Sequence, residues 1–274
     1  MMAQIVDRRQ LKAEMKEMLR TAQVAPKAMI ALYMLILLAM NLADAAASLN
    51  LADGAGSIMS TFVSILVSLM STVLFAGFAQ YCMAIRRSER VEFLSLFDGF
   101  SFAGKLIALD IVSTALIGLW SMLFVIPGII ASYRYRFAVY NLCENPNLSI
   151  LEALNMSKEQ TRGYKAQLFM LDLSYVGWTF LATVPATFFS LYASYQTAAS
   201  MFHFSGPALS MGVPLLAQIL VAGLWDLVVS LFYLAVFQST DLGFFEIAKS
   251  TSGVGAGYRS AAWDGDGPDN MGGL

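Results

Sequence analysis

Apolar residues run almost unbroken through 28–47, 58–85, 106–125, 167–190 and 214–237. Each run reaches the roughly 20 residues that a spanning helix needs. A sixth run, 128–142, is shorter and carries Arg134 and Arg136. Pro127-Gly128 precedes it; proline ends an incoming helix and glycine permits a reversal, so a tight turn is expected there. Pro185 is expected to kink the fifth span near its far end. Residues 7–20 place Leu11, Met15, Met18 and Leu19 at helical spacing opposite charge, the pattern of an interfacial helix. Ser149-Ile150-Leu151-Glu152 has the spacing of a capping box, so a helix is expected over 149–163. The fold class is all-α: a polytopic membrane helix bundle of six transmembrane helices with an N-terminal interfacial helix.

Charge fixes the orientation. Arg8, Arg9, Lys12, Lys16, Arg20 and Lys27 precede the first span, and Arg86, Arg87, Arg90 and Lys105 follow the second. Lys158, Arg162 and Lys165 fall in 144–166, and Lys249 and Arg259 follow the last span. The connections 48–57 and 191–211 hold no lysine or arginine. Cytoplasmic loops carry the basic excess, and only an even number of crossings between 105 and 144 puts every basic cluster on one side. Six passes with both termini cytoplasmic follow. The uncharged connection 191–211, with Tyr192, Tyr195, Phe202 and Phe204, is expected in the headgroup zone.

Composition agrees. The chain is 58% hydrophobic and only 13% charged, about half the charged fraction of a soluble domain. One polytopic domain over 1–249 is expected, opened by a basic leader over 1–27 that is retained rather than cleaved. The stretch 250–274 holds seven glycines and reads as a disordered tail. Cys82 and Cys143 fall near cytoplasmic helix ends, where a disulfide is not expected.

Charged residues within a bilayer are costly, and five stand out: Asp110, Arg134, Arg136, Asp172 and Asp226. Counting about 1.5 Å per residue from the inner helix ends puts the first four roughly 6–12 Å deep. They are expected to meet at one level, as a structural ion-pair cluster or as a polar cavity that accepts an anion or a headgroup. Arg134 and Arg136 point about 200° apart on one helix and cannot share a partner. Asp226, mid-helix and without a basic residue in its own span, is expected either to pair with Arg134 or to stay protonated. Ser57, Ser60, Ser64, Ser68 and Ser71 form a small-residue stripe suited to close helix packing.

No nucleophile–base set, phosphate loop, Cys-x-x-Cys pair or metal-binding helix is present, and the lone His203 has no triad-like company. No enzyme activity, cofactor, metal or nucleic-acid partner is therefore expected. Membrane lipids are expected partners, with a membrane protein as a further one.

From Ile126-Pro127-Gly128-Ile129-Ile130 onward the sequence resembles a known family. Tyr133, Tyr135, Glu144-Asn145-Pro146, Glu152-Ala153-Leu154, Ser157, Gly163-Tyr164-Lys165, Phe169, Leu171-Asp172-Leu173-Ser174 and Gly177-Trp178 continue the likeness. The chain resembles the bacterial membrane proteins of domain-of-unknown-function family 975. It departs from them toward the C-terminus, where it has Val236-Phe237 and Phe244-Phe245. The resemblance implies a bacterial cytoplasmic-membrane protein without an assigned activity. A looser similarity, to the membrane domain of some glycerophosphodiester phosphodiesterases, brings no activity with it. Two functions are expected from the whole: a non-enzymatic organiser or regulator of partners at the cytoplasmic face, or a small transporter using the intramembrane charges.

Overall fold

The computed structural model describes residues 6–20, 25–50, 54–87, 89, 91–201 and 214–255. The described chain is helical: α1 (Arg8–Arg20), α2 (Pro26–Asn50), α3 (Gly54–Arg86), a 3-10 helix (Phe93–Phe102), α4 (Ala103–Leu123), α5 (Val125–Tyr135), α6 (Ala138–Glu144), α7 (Ile150–Gln160), α8 (Lys165–Met201) and α9 (Leu215–Ser252). Five stretches are long and apolar enough to cross a membrane: Pro26–Ser48, Ile58–Arg86, Phe93–Leu123, Lys165–Tyr195 and Leu215–Ser252. His203 and the connection beyond Met201, which includes Phe202 and Phe204, lie outside the described residues.

The segment expected as one helix over 128–142 is instead two. Phe124 alone, extended at φ −162° and ψ 151°, reverses the chain between α4 and α5. The turn expected at Pro127-Gly128 therefore falls earlier. Pro127 is housed in the first turn of α5, where a missing N–H forfeits no intrahelical bond. Gly128 lets the hairpin close, since a Cβ there would stand 2.0 Å from Ser121 Oγ. The return leg then breaks at Arg136-Phe137 because a side chain enters the backbone ladder. Ser157 of α7 donates to the Arg134 carbonyl (2.8 Å) and accepts from the Phe137 N–H (3.1 Å). Thr161 gives the same carbonyl a second, longer bond of 3.4 Å. The helix of Ser157 itself starts as its sequence implies, with Ser149 Oγ accepting from the Glu152 N–H.

The 3-10 helix occupies sequence that carries no span pattern of its own. Three residues per turn stack its side chains in three rows. Leu96, Gly99 and Phe102 are buried. Leu94, Phe97 and Phe100 are exposed. On the third row, Ser95 and Ser101 each turn back 2.7 Å onto the carbonyl three residues earlier. The buried row lies on α3 at two glycines, Gly77 against the Leu96 backbone and Gly99 against the Val73 carbonyl.

Burial is uneven along the bundle. Phe78, Tyr81, Phe137, Leu142, Leu168, Phe244 and Phe245 are fully buried at the end that carries the basic residues. At the other end Ile58, Phe62, Met122, Phe124 and Leu191 are exposed. α1 docks at the packed end. Its Leu11, Met15 and Leu19 are buried, Leu11 lies against Gly243 of α9, and Arg86 of α3 donates to Met15 Sδ. Its apolar stripe is thus covered by protein.

α9 also differs from expectation. It continues past Phe237 to Ser252 and ends on Gly253, whose φ of +71° suits only a residue without Cβ. The expected tail is ordered through Gly255, and Gln160 donates to the Val254 carbonyl at 3.2 Å. The residues beyond Gly255 lie outside the described ones.

Candidate functional site

Arg136 stands at the break between α5 and α6 and reaches both long helices. Its Nη1 and Nη2 grip Asp172 of α8 at 2.7 and 2.9 Å, the paired geometry that suits guanidinium and carboxylate. Its Nε lies 2.9 Å from Asp241 Oδ1 of α9. That approach is too bent for a hydrogen bond, so this oxygen is held by charge alone. Two tyrosines complete the set. Tyr133 donates to Asp172 (2.7 Å) and Tyr140 donates to Asp241 (2.6 Å). Gln238 in turn donates to the Tyr140 hydroxyl at 2.9 Å. One guanidinium thus answers two carboxylates, which leaves one excess negative charge in a partly buried site.

A second polar layer lies beside it. Glu144 of α6 pairs with Arg87 at 2.8 Å and with Lys249. Arg86 pairs with Glu246 and donates to the Ser239 carbonyl at 3.2 Å. Asn141 and Gln160 exchange bonds of 2.8 and 2.9 Å across α6 and α7. Several basic residues that read as loop charges are therefore bound into the packed end.

The five expected intramembrane charges do not form one layer. Arg136 and Asp172 meet as their depths imply. Among the described residues the Asp110 carboxylate accepts one long bond, 3.4 Å, from Thr72. Asp226 accepts from Ser230, one turn along its own helix, at 3.3 Å, and among the described residues no ion pair joins it to Arg134. The Arg134 Nε is buried without a hydrogen bond, while its carbonyl is the one held by α7. Among the described residues no ion pair joins Arg134 to Asp172 or Asp241, the two carboxylates that Arg136 holds. Asp241 was not legible as a site residue, because the last span was expected to stop at Phe237. Asp44 of α2, within a span, accepts from Ser64 at 2.7 Å. This bond places one member of the serine stripe against α2. Cys82 and Cys143 are free and buried.

A cleft of about 560 Å³ opens between α8 and α9 beside this cluster. Arg136 and Asp172 floor it, and Tyr175, Val176, Tyr233 and Phe237 are among its walls. Tyr175 meets Phe237 edge-on at 5.1 Å, and Trp178 stacks on Tyr233 at 6.1 Å. At its rim Lys12 of α1 donates to Ser174 (2.7 Å) with its ammonium 4.0 Å from the Tyr175 ring centre. Burial, and then the charge of Arg8, lower the Lys12 pKa. A larger cavity of about 960 Å³ lies between the C-terminal end of α3, the 3-10 helix and α6, with Arg87, Asp98 and Glu144 on its walls.

Residues 122–206 match the model of a family described as a protein of unknown function (DUF975). The match contains 126–178, the most specific part of the resemblance. No curated protein and no solved structure matches the chain.

Proposed function

We propose that this chain is a six-pass protein of a bacterial cytoplasmic membrane, with both termini inside, that organises or regulates partners at its cytoplasmic face. The observation that carries this reading is the location of the polar chemistry. The paired charges concentrate at the basic end, each locked to a named neighbour, and tie α6 and the ends of α3, α8 and α9 into one packed unit, to which α1 is joined by its buried apolar stripe and α7 by uncharged hydrogen bonds. Such a unit suits a rigid platform better than a moving gate. A transporter needs a polar route through the bilayer, and the expected charged layer does not assemble: Asp110 and Asp226 each rest on a hydroxyl.

The α4–α5 hairpin supports six passes, because its tip, Leu123 to Ile126, is apolar and exposed at the end away from the basic residues. A reporter inserted at Phe124 is expected to be active only outside the cytoplasm, and one at Asn147 only inside it. Reversal of either signal overturns the topology.

Transport is the alternative. It is tested with single cysteines at Ala222 and Ser230, one turn on either side of Asp226, in intact and inverted membranes. The native cysteines are buried and give little background. The platform reading expects neither position to react with a membrane-impermeant thiol reagent until the protein is denatured. Labelling from either side before denaturation would replace it with the transport reading.

A further inference from the structure

On the topology proposed above, on which this inference rests, the cleft between α8 and α9 lies near the inner headgroups. Three observations agree on that depth. Trp178, Tyr175 and Tyr233 form an aromatic group there, as side chains at a membrane–water interface do. Side chains of the amphipathic α1 reach α8 nearby, Arg8 on the Met170 carbonyl (2.9 Å) and Lys12 on Ser174. Lys27, just inside the start of α2, has its ammonium 5.9 Å from the Phe232 ring centre.

The chemistry of the cleft selects a cation at its floor. Arg136 is already claimed by two carboxylates, so an anion arriving there meets excess negative charge. Asp172 is a third exposed, and its Oδ1 takes one bond, from Arg136 Nη2. A carboxylate oxygen can accept another. Aromatic faces attract ammonium groups, and Lys12 over Tyr175 is an internal instance of that contact. The rim has the opposite sign, with the ammonium of Lys12 over the Tyr175 ring. From floor to rim the site therefore runs negative to positive. Phospholipids that carry an amine beyond the phosphate have the complementary order when the amine enters first. Leu173 and Val176, both more than half exposed along this wall, provide an apolar surface on which acyl chains can lie.

We infer that the α8–α9 cleft binds one inner-leaflet phospholipid with a primary-amine headgroup, its ammonium on Asp172 among Tyr175, Tyr233 and Phe237 and its phosphate toward Lys12. A primary ammonium donates the hydrogen bond that Asp172 can take, and a quaternary one cannot. This separates phosphatidylethanolamine from phosphatidylcholine. The anionic phosphatidylglycerol lacks the cation altogether.

The test reconstitutes the full chain in nanodiscs of equal phosphatidylethanolamine, phosphatidylcholine and phosphatidylglycerol, then quantifies lipid retained after extraction into mild detergent. Phosphatidylethanolamine is expected to be enriched roughly tenfold over either other lipid, as one charge-assisted hydrogen bond allows. Val176→Trp fills the cleft from its exposed wall without touching the charged cluster, and is expected to abolish the enrichment while leaving the melting temperature unchanged. Soluble glycerophosphoethanolamine at millimolar concentration is expected not to displace the lipid. Equal retention of the three lipids, a preference for phosphatidylglycerol, or enrichment that survives Val176→Trp would overturn the inference. Displacement by the soluble headgroup would overturn the lipid as its source. The lipid panel on the unaltered chain decides the matter even if the variant fails to accumulate.

Discussion

Arg136→Met is expected to destabilise the folded chain by about 3 kcal/mol or more and to remove most of it from the membrane. The side chain is of similar length, so lost packing is a small part of the effect. Its removal strands two carboxylates, Asp172 and Asp241, the second of which is only 3% exposed. Leaving a buried charge unanswered costs far more than a well-formed pair gains. The same reasoning ranks the partner variants. Asp172→Asn leaves Arg136 and Asp241 as a one-to-one pair and keeps an acceptor for Tyr133, so its cost is expected to be about 1 kcal/mol. Asp241→Asn lies between the two, because Tyr140 and the Arg136 Nε lose a charged partner in a more enclosed place. Combining Arg136→Met with both asparagine changes is expected to recover part of the loss, since no uncompensated charge remains. Thermal unfolding in detergent, read beside membrane abundance, checks the order. An Arg136→Met protein as stable as the parent would show that the cluster does not hold the helices together.

The fate of this cluster shows what the sequence could and could not convey. One contact was legible: counting residues from the helix ends put Arg136 and Asp172 at a common level, and they meet. Azimuth was not. Asp110 and Asp226 have depths as well defined, yet each faces a hydroxyl, because the rotation of a helix that is apolar all round leaves no trace in its pattern. Asp241 was hidden by length. A bilayer needs about 20 residues, so a span expectation stops near Phe237. The signal that α9 continues was nevertheless present: Leu242, Phe245 and Ala248 keep helical spacing, and all three are buried. The break in the return leg had no local signal at all, since Ser157 imposes it from another helix. The capped start of α7 was fully legible because its cause lies within four residues.

The 3-10 helix was the least legible element, and it supplies the second large effect. Gly77→Ala is expected to destabilise the chain by about 1–3 kcal/mol, the range for overpacking an interior contact, and Gly77→Leu by more. A Cβ at residue 77 would lie 1.9 Å from the Leu96 carbonyl oxygen and 2.6 Å from its carbon. Both atoms are backbone, so no rotamer change relieves the clash, and the 3-10 helix must lift off α3. Gly99→Ala, with 2.6 Å to the Val73 carbonyl oxygen, is expected to act in the same direction. The comparison that isolates the contact is Gly118→Ala in the middle of α4, where an added Cβ meets nothing within 4 Å. There alanine is expected to be neutral or to stabilise by up to about 1 kcal/mol, through helix propensity alone. Lifting the 3-10 helix also bares its buried row and opens the wall of the neighbouring cavity at Phe102. Gly77→Ala is therefore expected to raise thiol reactivity at Cys143, which lines that cavity, while Gly118→Ala leaves it unchanged. Melting temperatures of the three alanine variants in one detergent, with Cys143 labelling rates, check this; equal stability of Gly77→Ala and Gly118→Ala would remove the case for backbone contact between α3 and the 3-10 helix.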